Sequence, residues 1–190
     1  MQKLFRVLLL LVALVMAPLV VSGAAHAQAT DPENTLYLDI PAGRVVIKLR
    51  PDLAPNHVAR IKELVHRGFY DGLTFHRVIP GFMAQTGDPL GNGSGGSGKN
   101  IKAEFSHEHF ARGIVGMARA NSFDSADSQF FITTGDAGFL DGKYTVFGQV
   151  VSGMEFVDKL AAGTEANNGA VAHPDKIIRL QIAADADKKS

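Results

Sequence analysis

Phe75-His76-Arg77-Val78-Ile79-Pro80-Gly81-Phe82-Met83-Ala84-Gln85-Thr86-Gly87-Asp88 is the stretch on which the reading of this chain turns. Two β-rich runs, Thr74 to Ile79 and Phe82 to Thr86, flank the turn dipeptide Pro80-Gly81. Alternation along the first run puts Phe75, Arg77 and Ile79 on one face. A guanidinium among apolar neighbours is costly unless it is paired or employed. Beyond the turn stand two bulky, deformable side chains, Phe82 and Met83, and the amide of Gln85. Gln129-Phe130-Phe131 repeats the pairing of an amide with aromatics, and Phe139-Leu140 follows. Two readings fit: an apolar pocket with one cation and two amides at its rim, or a barrel core with one surface arginine. Periodicity alone favours the second.

Outward from this stretch, Thr35 to Ile40 and Arg44 to Leu49 form a hairpin pattern around Pro41-Ala42-Gly43. Asn56 is placed to cap a helix carrying Val58, Ile61, Leu64 and Val65 at helical spacing, with Gly68 ending it. Further strands are predicted over Gly113 to Ala118, Gln129 to Thr133, Thr145 to Val151 and Lys176 to Ile182. A second short helix is marked by Met154, Val157 and Leu160 and closed by Gly163. Eight strands that do not alternate regularly with helices disfavour a doubly wound α/β fold. They predict a mostly β protein, a closed eight-stranded antiparallel barrel whose open ends two helices cover. No internal repeat or linker divides it.

The N-terminus reads separately. Lys3 and Arg6 precede an uncharged segment from Val7 to Ala25, and Ala25-His26-Ala27 has the small residues of a cleavage site. Residues 1–27 are expected to be a cleaved signal peptide and 28–190 one mature domain beginning at Gln28, in a periplasmic location. The alternative is an uncleaved anchor, for which the apolar run is just long enough, although Pro18 interrupts it. The chain has no cysteine, which removes disulfides, thiol nucleophiles and Cys-ligated metals. Equal numbers of basic and acidic residues, 19 each, argue against nucleic-acid binding.

Several motifs are decoys. Gly91-x-Gly93-x-x-Gly96 and Gly93-x-x-x-x-Gly98-Lys99 imitate nucleotide-binding loops, but Asn100 replaces the required Ser/Thr and no β-α-β unit surrounds them. No nucleotide is expected. His107 and His109 flank Glu108, which is a poor metal site without a third ligand, and a solvated polar turn is the better reading. His57 and His66 are placed on the polar side of the first helix. No nucleophile elbow or glycosidase carboxylate pair stands out.

FHRVIPGFMAQTGD at 75–88, GMARA at 116–120, SQFFIT at 128–133, FLDGKYTVFG at 139–148 and GMEFVDKL at 153–160 together resemble the cyclophilin-type peptidyl-prolyl cis–trans isomerases. The resemblance runs from about Thr35 to Ile182. It implies an eight-stranded barrel with a surface groove for Xaa-Pro segments of folding or exported polypeptides, and catalysis without cofactor, metal or nucleophile. By position, it implies that Arg77 is catalytic and that Phe82, Met83, Phe131 and Leu140 form the proline pocket. Gln85 and Gln129 would supply polar contacts, with Ala118 and Arg119 binding peptide through the main chain. Three positions differ from the best-known eukaryotic pattern: Arg119 replaces Asn, Phe139 replaces Trp and Tyr144 replaces His. Loss of an indole N–H at Phe139 implies weak cyclosporin binding; Tyr144 keeps a donor at the rim. A monomer is the default expectation. A protein that grips proline segments without catalysis would share these motifs.

Overall fold

The computed structural model describes residues 31–186 and Lys188; the expected signal peptide, residues 1–27, lies outside them. Eight strands form one antiparallel sheet: β1 Thr35–Ile40, β2 Gly43–Leu49, β3 Arg77–Ile79, β4 Met83–Thr86, β5 Ile114–Met117, β6 Phe130–Thr133, β7 Val146–Ser152 and β8 Arg179–Ile182. Their order is β3-β4-β6-β5-β7-β2-β1-β8. The hairpin β1–β2 has the bounds its sequence predicts, within one residue, because Gly43 closes the turn opposite Ile40.

The expected closed barrel is corrected: the sheet is an open half-barrel. Its end strands, β3 and β8, share no ladder. The seam is spanned by the segments that lead into them: the isolated bridge Thr74–Lys176, and bonds from the Phe75 N–H to the Asp175 carbonyl, the Gly72 N–H to the Ile177 carbonyl and the Ile177 N–H to the Leu73 carbonyl. The free edge of β3 is occupied instead by the loop 163–170. Gly163 donates to the Val78 carbonyl, and the Val78 N–H donates to the Gly169 carbonyl. An edge covered by a loop is as protected as one closed by a strand.

Helix α1, Pro55–His66, packs against β7 and β8, and the single turn α2, Met154–Val157, against β2. A further turn, α3 Ala183–Ala186, follows β8 directly and has no signal in the sequence reading. α1 buries Val58, Ile61, Leu64 and Val65 as its spacing predicts. Its cap differs from expectation. Ala54 is the N-cap, Pro55 is the first helical residue, and no local side chain caps the end. The distant Glu104 carboxylate accepts from the backbone N–H groups of Asn56 (3.1 Å) and His57 (3.0 Å) instead. His57 is fully buried rather than on a polar face, and its Nδ1 lies 2.6 Å from Glu104.

The sheet separates two apolar clusters. Alternation sends Ala84, Val115, Phe130 and Ile132 into the main core with Leu36, Leu38 and Ile47. Their neighbours Met83, Ile114 and Phe131 emerge on the other face and pack with Phe110, Leu140 and Val146. Phe75 belongs to the main core, whereas Arg77 and Ile79 do not. The predicted alternation fails there because β3 begins only at Arg77.

Glu104 thus satisfies a helix N-terminus and the Nδ1 of a buried imidazole together. Burial works to raise its pKa, but the bonds from His57 and Asn56 outweigh that and hold it below the usual carboxylate range. Its contribution is therefore present above the ordinary value of ~4.3 and lost as pH falls through the lowered one. Glu104→Ala is expected to cost about 2–3 kcal/mol in urea unfolding at pH 7, from a lost cap plus an orphaned buried donor, with the difference from wild type shrinking in acid.

Candidate functional site

Strand register assembles the site. Arg77 on β3 faces Gln85 on β4, Gln85 faces Phe131 on β6, and Phe131 faces Gly116 on β5. One row across four strands thereby presents a cation, an amide and an aromatic on the outer face. Gly116 is required by what lies over it. A Cβ there would stand 2.7 Å from both Phe110 and Phe131, whose rings stack at 5.7 Å.

The Arg77 side chain is half-buried and forms no ion pair among the described residues. Neutral acceptors hold it. Nε donates to the Asn168 carbonyl (2.9 Å), Nη2 to Asn168 Oδ1 (3.0 Å) and Nη1 to Gln85 Oε1 (3.2 Å). Met83 Sδ lies 3.8 Å from Nη1. Burial lowers the guanidinium pKa, but from so high an ordinary value that it stays charged. The Gln85 amide in turn donates to Gln129 Oε1 (2.9 Å), and the Gln129 amide donates to the carbonyls of Gly93 (3.0 Å) and Gly95 (2.8 Å). The glycine-rich loop is shaped by Asp88, which accepts from the backbone N–H groups of Leu90, Asn92 and Gly93. Burial works against the Asp88 carboxylate, yet these bonds keep its pKa below the usual value.

Beside Arg77 is a cavity of about 110 Å³ walled by Phe82, Met83, Phe131 and Leu140, with Tyr144, Ala118 and Arg119 along its rim. A second cavity of about 260 Å³ adjoins it across Gln85, Ala118 and Arg119 and is lined by Gln129 and the glycine loop. Of the residues expected at the site, Phe139 alone lines neither cavity. It is largely exposed, with its ring 5.2 Å from that of Phe82. Tyr144 packs edge-on to Phe131 at 5.8 Å. The Arg119 guanidinium is sandwiched between the Tyr144 ring (4.5 Å) and the Phe123 ring (4.8 Å) and donates to the Lys143 carbonyl. The Ala118 N–H is already bonded to the Gln129 carbonyl.

Sequence reasoning missed Asn168, Phe110 and the glycine pair Gly93/Gly95. Asn168 adopts a left-handed backbone (φ 57°), the one such non-glycine residue among those described, just before Gly169. Its Asn-Gly dipeptide signals a turn, but nothing local ties it to an arginine 91 positions away.

A family model described as cyclophilin type peptidyl-prolyl cis–trans isomerase matches residues 35–182. A probable peptidyl-prolyl cis–trans isomerase of Brucella suis is 54% identical over 187 residues, covering 92% of this chain and 95% of the relative. Peptidyl-prolyl cis–trans isomerase B of Bacillus subtilis is 47% identical over 123 residues, covering 63% and 85%. Among solved structures, a cyclophilin from Hirschia baltica aligns with a TM-score of 0.73 at 27% identity, covering 82% of this chain and 76% of its own. A cyclophilin-type isomerase of Cryptosporidium parvum, solved in the presence of the dipeptide Ala-Pro, aligns with a TM-score of 0.71 at 27% identity, covering 78% and 98%.

Asn168→Gly keeps the left-handed backbone and removes only the side-chain tether to Arg77. Stability is expected to change by no more than about 1 kcal/mol. In NMR spectra the Arg77 Nη signals, held distinct by their separate partners, should merge as the guanidinium gains rotation. An unchanged pattern would show that Oδ1 does not hold it.

Proposed function

The chain belongs to the cyclophilin-type peptidyl-prolyl cis–trans isomerase family and is a peptidyl-prolyl cis–trans isomerase; from that premise we propose that Arg77 carries the catalysis, by non-covalent stabilisation of the twisted Xaa-Pro bond. The observation that supports this reading is a half-buried guanidinium without a carboxylate partner among the described residues, fixed at the edge of an apolar cavity.

Rotation about an Xaa-Pro bond faces a barrier of ~18–20 kcal/mol because the amide is conjugated. At the perpendicular geometry conjugation is lost and the proline nitrogen regains its lone pair. A donor directed at that nitrogen binds the twisted form better than either planar isomer, and only such differential binding accelerates the step. The Arg77 guanidinium supplies that donor, in surroundings dry enough to strengthen a charge-assisted bond. Phe82, Met83, Phe131 and Leu140 grip the pyrrolidine ring while the acyl side rotates. Gln85 and the backbone of Ala118 and Arg119 hold the substrate main chain, with Gln129 bracing Gln85 and Tyr144 at the rim. No bond forms or breaks, so the proposal assigns no nucleophile.

The partners proposed are proline-containing segments of unfolded or folding polypeptides, read through the proline and little else. The Ala-Pro dipeptide accompanying the Cryptosporidium parvum relative supports that class. Phe139, outside both cavities and beside Phe82, offers no indole donor, which supports weak cyclosporin binding. Action in the periplasm after signal cleavage completes the reading, supported by Lys3, Arg6, the apolar run and Ala25-His26-Ala27, with a monomer as the default.

Arg77→Ala should lower kcat/KM for proline-peptide exchange about a hundredfold, equal to ~2.7 kcal/mol, with the fold retained by circular dichroism. Wild-type activity in that variant would end the assignment. A wild-type chain that binds proline peptides without accelerating their exchange would mark a holdase instead. For export, the N-terminal residue of the protein recovered from the periplasmic fraction should be Gln28; Met1 in a membrane fraction would indicate an anchor.

A further inference from the structure

The pocket wall carrying Phe139 and Leu140 is a single 3-10 turn, Gly138–Leu140, with an aspartate on either side. His109 reaches both. Its Nε2 lies 3.1 Å from Asp136 Oδ2 and its Nδ1 2.8 Å from Asp141 Oδ2. The ring lies over Gly138 so closely that a Cβ there would stand 2.9 Å from His109 Cε1. The next residue continues the connection. The Phe110 N–H donates to Asp141 Oδ1 (2.9 Å), the Ala137 N–H donates to the Phe110 carbonyl (2.8 Å), and the Phe110 ring stacks beneath Phe131 on the pocket floor.

A carboxylate only accepts hydrogen bonds, and a neutral imidazole has one N–H. With both ring nitrogens facing carboxylate oxygens, both bonds exist only in the imidazolium. The neutral ring must give one up and set a lone pair against an anion. We propose that His109 is a positioning residue: as imidazolium it clamps the two ends of the Asp136–Asp141 turn and so seats Leu140 against the proline pocket, and on losing a proton it releases one end. The proposal rests on the reading of this groove as the Xaa-Pro site.

The surroundings are consistent with such a switch. Hydrogen bonds from Asp141 first, then Asp136, raise the His109 pKa, and both aspartates are held below the usual carboxylate range. The other charges facing this corner are otherwise engaged. Lys143 Nζ is bonded to the Phe139 carbonyl, Glu108 lies 3.5 Å from Arg50, and Arg112 is paired with Asp158; His107 stands on the same segment. A raised imidazole pKa contributes order that is complete below the ordinary value of ~6.5 and lost as pH rises through the raised one. The ring and its partners are substantially exposed, so the effect is a few-fold and shrinks with salt.

The test follows peptide binding and catalysed exchange by NMR on the Gln28–Ser190 chain between pH 5.5 and pH 9. The dissociation constant of a proline peptide should rise about threefold as His109 titrates, with the exchange rate at saturation unchanged. His109→Gln, whose two N–H donors share one nitrogen and cannot span carboxylates that face opposite ring nitrogens, should show the alkaline affinity throughout. Asp136→Asn should move the midpoint down, because one of the two stabilising anions is gone. Independently of activity, the Leu140 methyl signals should shift with the midpoint read from His109 Cε1–H. Leu140 methyls indifferent to that titration, or His109→Gln binding as wild type at pH 6, would overturn the clamp. A chain without any isomerase activity would refute the function proposed above, while the methyl titration would still decide the clamp.

Discussion

The site depends on strand register. Arg77, Gln85, Phe131 and Gly116 form a row only because β3, β4, β6 and β5 pair as they do. A slip of one residue in any ladder would turn a core side chain such as Ala84 or Ile132 outward and bury an amide or a cation in its place. The main core resists that slip. Ala84, Val115, Phe130 and Ile132 are almost wholly buried on the opposite face. The hydrophobic pattern that folds the sheet is thus the same one that aims the guanidinium, and groove and core cannot be altered separately.

Holding a half-buried guanidinium with amides and a carbonyl has a consequence for chemistry. A carboxylate partner would neutralise the charge and compete for the donors. Oxygen dipoles from Asn168 and Gln85 orient the group and leave its full charge available. The cost of this choice is that each acceptor must itself be fixed. Gln85 is fixed by Gln129, and Gln129 by the carbonyls of Gly93 and Gly95. The loop ends on Asp88, whose charge is satisfied by backbone N–H groups rather than by the arginine. What imitates a nucleotide loop in the sequence is a brace for an amide, and its glycines answer different demands: Gly91, Gly93 and Gly98 hold positive φ, and a Cβ on Gly96 would collide with the Asp127 carboxylate. A Cβ on Gly95 would collide with the Asp88 carboxylate.

Local pattern carried part of this structure. β1 and β2 are legible because alternation and a turn glycine agree, and α1 because four apolar residues recur at helical spacing. The pocket residues were legible through long motifs rather than through periodicity, which on its own preferred a surface arginine. The remainder depends on contacts distant in sequence. Glu104 caps α1 from 48 positions away, Asn168 tethers Arg77 from 91, and a loop rather than β8 covers the edge of β3. Alternation also misplaced Phe75 and helical spacing misplaced His57. Phe75 lies before the start of β3, outside the strand whose alternation was applied to it, and His57 turns inward to Glu104, a partner that no local window contains.

The groove has two halves of different construction. One half, Arg77, Met83, Gln85 and Phe131, stands on paired strands whose backbone bonds and buried undersides hold it rigid. The other half, Arg119, Phe139, Leu140 and Tyr144, stands on segments outside the ladders. Cation–π contacts, bonds to carbonyls and the contacts of His109 with Asp136 and Asp141 lie on these segments. Interactions of the second kind are exposed, individually weak and sensitive to pH and salt. They cannot define a transition state to a fraction of an ångström, but they can set how firmly a peptide is gripped. On the role proposed for Arg77, the donor stands in the strand half, while the proline pocket is built from both halves, Met83 and Phe131 from one and Leu140 from the other. The three departures from the eukaryotic pattern, at Arg119, Phe139 and Tyr144, all fall outside the ladders, where no register constrains the side chain.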